Sequence, residues 1–178
     1  MAKISNVSAY PNINNVSGSD YLIITDSENN LMTKTVTLTQ VQTLFGIDTY
    51  VAHAEVTPTE MQNLAPSPKT IIDAPGANNV IDLLSISVYG KYGTTTYNFS
   101  DDLEFDCNST VFASLAAVSA NSSQDFVQKL MIGGAGGNSL TLSANQALTL
   151  TTSANPTQGD GTFFVNAYYR ILTVGTTF

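Results

Sequence analysis

NVIDLLSISVYG, residues 79–90, reads as one long β-strand and sets the class of the whole chain. The turn residues Pro75-Gly76-Ala77-Asn78-Asn79 lead into it, and the glycine-bearing hairpin YGKYGTTTYNF leads out. The same rhythm holds on either side. KTIIDA (69–74), TTYNF (95–99), DLEFD (102–106) and TVFASLAAV (110–118) read as strands. So do DFVQKLMI (125–132), SLTLSANQALTLTTS (139–153) and TFFVNAYYRILTV (162–174). Gly, Pro and Asn clusters separate them. This pattern predicts a mainly β chain built on an antiparallel β-sandwich or jelly roll. No helical period is long enough for a βαβ crossover, which disfavours a parallel α/β sheet.

Composition narrows the function. Of 178 residues, 43% are hydrophobic, so a real core is expected, while only 11% are charged. Thr, Ser and Asn carry the polarity, a profile that suits a virion component or adhesin better than a metabolic enzyme. A net charge of −8, with six scattered Lys and Arg, argues against a nucleic-acid partner. The first residues, MAKISNVSAY, lack the basic and apolar regions of a secretory signal. No apolar run is long enough to cross a bilayer, so no membrane partner is expected. Asn-x-Ser/Thr triplets at Asn6, Asn15, Asn98, Asn108 and Asn121 read as turn chemistry rather than glycosylation sites. The single cysteine, Cys107, excludes an intrachain disulfide.

Upstream of the sandwich lies a smaller unit. In DYLIITDSENNLMTKTVTLTQVQTLFG (20–46), Tyr21 to Thr25 reads as a strand, Ser27 to Asn30 as a turn, and Leu31 to Leu38 as a second strand with period-two alternation. Thr39-Gln40-Val41-Gln42 fits a capping box, Val41, Leu44 and Phe45 share one helical face, and Gly46 ends the helix. A hairpin and a two-turn helix are each marginal alone. Leu22, Ile24, Val36, Leu38, Val41, Leu44 and Phe45 are therefore the expected docking or oligomerisation residues, each worth ~1.5–3 kcal/mol once covered by a partner. The expected organisation is a module over 1–48, a linker over 49–55 and the sandwich over 56–178. Thr59 is the expected cap of a short helical turn after the linker.

Catalytic groups do not converge in this sequence, so the chain is read as a non-enzyme without cofactor. His53 is the one histidine and falls in the expected linker, where a solvated side chain is the plain reading. Cys107 reads as a small buried hydrophobe. Asp102, Glu104 and Asp106 share a strand face opposite Leu103 and Phe105. Three carboxylates there offer oxygen ligands to Ca²⁺ or make a wet face; the wet face is preferred, and no metal site is assigned. Paired carboxylates across a groove, as a polysaccharide hydrolase needs, are not visible. GGAGG (133–137) and GDG (159–161) lack the Lys-Ser/Thr and helix of a phosphate loop and read as hinges or turns. Tyr89, Tyr92 and Tyr97 cluster around one hairpin, where tyrosines stack on sugars or cover a core edge.

Two stretches resemble phage modules. Gly18-Ser19-Asp20-Tyr21-Leu22 and Lys34-Thr35-Val36-Thr37-Leu38-Thr39-Gln40, after the Ile-Ser start, resemble the N-terminal attachment module of tailed-phage fibre and receptor-binding proteins. TPTEMQNLAPSPKTIIDAPGANNVI (57–81), KYGTTTY (91–97), DLEF (102–105) and ANPTQGDGTFFVNAYYRIL (154–172) resemble a jelly-roll phage structural domain. The resemblance implies a bacteriophage virion structural protein, made in the host cytoplasm and assembled onto the particle. Such modules tether a fibre to the virion, commonly as a homotrimer. The short chain, with no long shaft, tilts the reading to a head fibre or capsid decoration docked on the major capsid protein or another virion protein. The alternative is a tail-fibre or receptor-binding module that contacts host-surface glycans through Tyr89, Tyr92 and Tyr97.

Overall fold

A computed structural model describes residues 21–26, 32–38, 40–41, 49–133 and 140–175. The chain divides into two compact units, residues 1–48 and 49–178.

In the first unit, β1 (Tyr21–Asp26) pairs antiparallel with β2 (Met32–Thr37). The register sets Leu22 opposite Val36 and Ile24 opposite Lys34, so these four positions fall on one face of the ribbon. Helical backbone begins at Leu38, two residues earlier than the sequence suggests. The cap is Thr37 with Gln40, not Thr39 with Gln42. The Thr37 hydroxyl accepts from the Gln40 N–H at 3.2 Å, and Gln40 Oε1 accepts from the Thr37 N–H at 2.9 Å. The reciprocal Thr-x-x-Gln pattern occurs in both frames, and the chain uses the one that ends the strand directly. Leu44 and Phe45 lie outside the described residues.

The second unit is a β-sandwich of two antiparallel four-stranded sheets. Its strands are β3 (Tyr50–Val56), β4 (Lys69–Ile72), β5 (Asn79–Lys91), β6 (Leu103–Cys107), β7 (Thr110–Leu115), β8 (Phe126–Leu130), β9 (Leu148–Thr151) and β10 (Thr162–Thr173). One sheet runs β3-β10-β5-β8 and contains the two longest strands; the other runs β4-β9-β6-β7. We call them the long and the short sheet. The pairing is nested. Within the sandwich the first strand meets the last, β4 meets β9, β5 meets β8, and β6 meets β7. A doubled ribbon rolled up in this way is a jelly roll. Its innermost hairpin turns through Asn108 and Ser109, whose φ values of 53° and 63° match the primed turn that suits twisted strands.

Strand alternation makes the core. Leu103, Phe105, Leu148 and Leu150 point inward from the short sheet, while Ile86, Val88, Phe163 and Val165 meet them from the long one. Three irregularities adjust the register, one between Thr70 and Ile72, one between Phe105 and Asp106 and one opposite Tyr168 and Tyr169. The Phe163 ring takes the edges of Tyr97 and Phe126 at interplanar angles of 88° and 87°. Gly90 leaves room for Phe126, since a Cβ there would sit 2.1 Å from the ring.

Several expectations are corrected. The expected linker over 49–55 is the first strand of the sandwich. Val56 is fully buried and Ala52 and Ala54 pack on the core, so β3 closes the free side of β10. TTYNF is not a strand: side chains satisfy its backbone instead of a ladder. TVFASLAAV stops as a strand at Leu115, and one helical turn follows at Ala117–Ala120, with Asp102 accepting from the Ala117 N–H at 2.9 Å. From SLTLSANQALTLTTS only Leu148–Thr151 is a strand, because Asn145, at φ 52°, turns the chain just before it. The turn at Pro58–Met61 is capped by Thr57 rather than Thr59, with Glu60 reaching back to the Thr57 N–H at 2.8 Å. Proline at the first helical position fixes that frame.

Candidate functional site

Three surfaces follow from this architecture: the N-terminal ribbon, the loops at one end of the sandwich, and the outer faces of the two sheets. On the ribbon, Val36, Leu38 and Val41 are half-buried. Leu22 and Ile24 are brought to the Val36 face by the register, as a period of two requires.

At the loop end the three tyrosines part company. Tyr97 is a core residue at 4% exposure, and its hydroxyl donates to the Gly161 carbonyl at 2.6 Å. Burial, with Asp160 close by, pushes its pKa up to about 12. Its ring cannot stack on a sugar, which removes it from the expected glycan contact. TTYNF, read as a strand from the sequence, is a loop that drops the Tyr97 and Phe99 rings into the core. Tyr89 and Tyr92 remain half-buried at the surface. The Tyr89 hydroxyl donates to Asp125 at 2.9 Å, and the Tyr92 backbone N–H donates to the other Asp125 oxygen at 2.8 Å. Tyr89 also stacks on Phe164 of β10, with centroids 5.8 Å apart.

Asp160 of the GDG turn holds the same loop from its other side. One oxygen accepts from the N–H groups of Thr94 and Thr95, both at 2.8 Å, and the other from the Thr94 hydroxyl at 2.6 Å. These donors hold the Asp160 carboxyl below its ordinary range, and the Tyr92 N–H and Tyr89 hydroxyl do the same for Asp125. Further along, Asn98 and Thr157 exchange two bonds of 2.8 Å, and Asn121 bridges both backbone groups of Phe99. The GDG stretch is thus a clamp. Gly159, at φ +121°, gives it a backbone that favours glycine.

The remaining candidates are dispersed. His53 lies on β3, not in a linker, and its Nδ1 meets Asn166 Oδ1 on β10 at 2.5 Å. Cys107 is buried, and burial together with Asp106 raises its thiol pKa, the opposite of what a nucleophile needs. Asp102 accepts from the helical turn, Asp106 accepts from the Thr149 hydroxyl at 3.0 Å, and Glu104 is half-buried between them. No cluster of metal-ligating residues occurs among the described residues. The 134–139 part of the glycine run lies outside them.

Sequence reasoning missed Asp125 and Asp160, whose partners are 30 to 70 positions away and leave no local trace. It also missed the outer face of the long sheet, where Phe164 and Tyr168 alternate with inward Phe163, Val165 and Ala167. The period-two pattern of TFFVNAYYRILTV was the available signal.

No protein-family model and no curated protein matches the chain. A chain of the cyanophage Pam1 capsid asymmetric unit is similar in structure, with a TM-score of 0.47 and 14% identity over 69% of this chain and 84% of that one.

Proposed function

We propose that this is a virion structural protein of a tailed bacteriophage, a head fibre or capsid decoration without catalytic activity, docked through residues 1–48. The observation that carries this reading is the β1–β2 ribbon. It belongs to a separate compact unit, in a chain whose sandwich completes its own core. A two-stranded ribbon is marginal in water, so its apolar face calls for a wall supplied from elsewhere. Its strand-to-helix junction carries the Lys-x-Val-Thr-Leu-x-Gln motif of phage attachment modules. Support at the level of fold is analogical: jelly rolls recur in viral capsid and lectin domains.

Docking onto a particle accounts for the acidic, charge-poor composition and for the lack of any convergent catalytic constellation among the described residues. The partner is a virion protein, and residues 1–48 also gather the copies as a trimer about a cyclic axis. The glycan-binding alternative retains Tyr89 and Tyr92, braced by Asp125, at a loop end of the kind many sandwiches use for binding.

Cryo-EM of the virion is the direct experiment, with density for this chain expected on the capsid surface at its N-terminal end. Density at the tail tip, or binding on a glycan array, moves the assignment to the alternative. In solution, residues 1–48 expressed alone are expected to be unfolded. A cooperative melt and dispersed amide spectrum from that monomeric fragment sink the docking argument.

A further inference from the structure

The two sheets of the sandwich turn very different outer faces to solvent. On the short sheet the outward row is Thr70, Thr149, Thr151, Glu104, Asp106 and Ser114, with half-buried Val111 opposite Asp106, so among the described residues it is mostly polar and acidic. On the long sheet the central strands turn out Phe164, Tyr168 and Tyr89, and the edge strands turn out Val51 and Val127. Tyr168 is 44% exposed, Val51 41% and Val127 76%, and the β5 bulge leaves Leu84 beside them at 42%. Tyrosine and phenylalanine set among neutral polar groups such as Asn166 and Ser87 are the composition of an interface core.

Charge says which partner fits. The protein carries −8 overall, so two copies repel unless they meet where charge cancels. The outer face of the long sheet is such a place. Among its described residues, Glu55, Asp82 and, just ahead of β8, Asp125 balance Lys91, Lys129 and Arg170, and the Arg170–Asp82 pair is satisfied within the face at 3.0 Å. Two of these charges sit at opposite edges, Glu55 on β3 and Lys129 on β8, while Lys91 lies at the end of central β5. Both strands are sheet edges among the described residues, and they run in opposite directions through the β3-β10-β5-β8 order.

We propose that the outer face of the long sheet is the contact between copies of this chain, two copies facing each other so that the Glu55 side of one meets the Lys129 side of the other. The same face on both copies makes a self-complementary contact about a two-fold axis, and an axis parallel to the strands lays β3 of one copy over β8 of the other, so opposite charges meet at both edges. Four strands at ~4.8 Å spacing and about six residues at ~3.3 Å rise give a footprint of roughly 400 Å² before side-chain relief is counted. That is near the ~500 Å² per partner at which specific interfaces begin. The inference goes beyond the docking module and stands or falls separately from the virion reading.

The test uses the full chain, with sedimentation velocity over a range of concentrations and thermal melts as the control for folding. The wild type is expected to self-associate. Tyr168→Asp is expected to weaken that association by about tenfold or more at an unchanged melting profile. Should that variant fail to fold, the charge pair carries the test: Glu55→Lys and Lys129→Glu each weaken association, and the double variant restores it. Association unchanged in all these variants means that residues 1–48 alone hold the copies together, which overturns the proposal and leaves the docking argument intact. A wild type that stays monomeric throughout overturns it as well, whether the face is bare or covered by the chain's own residues 1–48.

Discussion

The long and the short sheet solve the same inward problem and opposite outward ones. Inward, both present alternating Leu, Ile, Val and Phe to a shared core. Outward, the short sheet is finished mostly with Thr, Ser and carboxylates around half-buried Val111, and the long sheet with exposed aromatics, valines and balanced charge. A strand's inward residues are dictated by folding, while its outward residues are free to record what the surface meets. The difference therefore separates stability from association, and substitutions can test each side.

The largest effect is expected inward, where the sheets are alike. Phe105→Ala, at a fully buried position on the short sheet, should cost about 3–5 kcal/mol in a denaturant titration. Gly90→Ala, on the inner side of the long sheet, drives a methyl into the Phe126 ring and should cost about 1–3 kcal/mol by the same measurement. If Phe105→Ala proves neutral, the core does not pass through the short sheet as described. Thr57→Ala, which removes the cap ahead of β4, should cost about 1 kcal/mol. Smaller still is the outward change on the short sheet. Thr149→Val loses its bond to Asp106 and should shift stability by less than about 1 kcal/mol, with self-association untouched. A loss of association in this variant would erase the distinction between the two outer faces.

A pH titration reads the loop clamp. Asp160 and Asp125 have folded pKa values below their unfolded ones. The stability they add is complete above the unfolded carboxylate range of about pH 4 and is lost as pH falls through the lower folded values. Asp160→Asn should flatten the acid limb of the melting-temperature profile. An acid limb identical to that of the wild type shows that Asp160 contributes nothing to it.

Length and punctuation decided what could be read in advance. NVIDLLSISVYG and TFFVNAYYRILTV correspond almost residue for residue to β5 and β10, because long β-prone runs flanked by Gly and Asn admit few alternatives. The strand β3, YVAHAEV, escaped because its core face is made of Ala52, Ala54 and Val56, too small to announce burial. TTYNF misled in the other direction, since its backbone is held by Asp160, Gln158 and Asn121 from far along the chain. Of the expected sites, only the placement of positions 22 and 24 on one face of β1 follows from strand period, and their register with β2 does not. The separation of Tyr97 from Tyr89 depends on which way a loop turns, and short-range patterns carry no information about that.

The nested pairing has a consequence for biosynthesis. The strand made last in the sandwich, β10, is hydrogen-bonded on both sides, between β3 and β5. While the ribosome is still elongating, β3 and β5 have no common neighbour, and Ile86 and Val88 face an unfinished cavity. Closure must wait for the closing strand to emerge, so the nascent polypeptide spends translation as sticky, half-assembled ribbon, dependent on dilution or chaperones to avoid trapping.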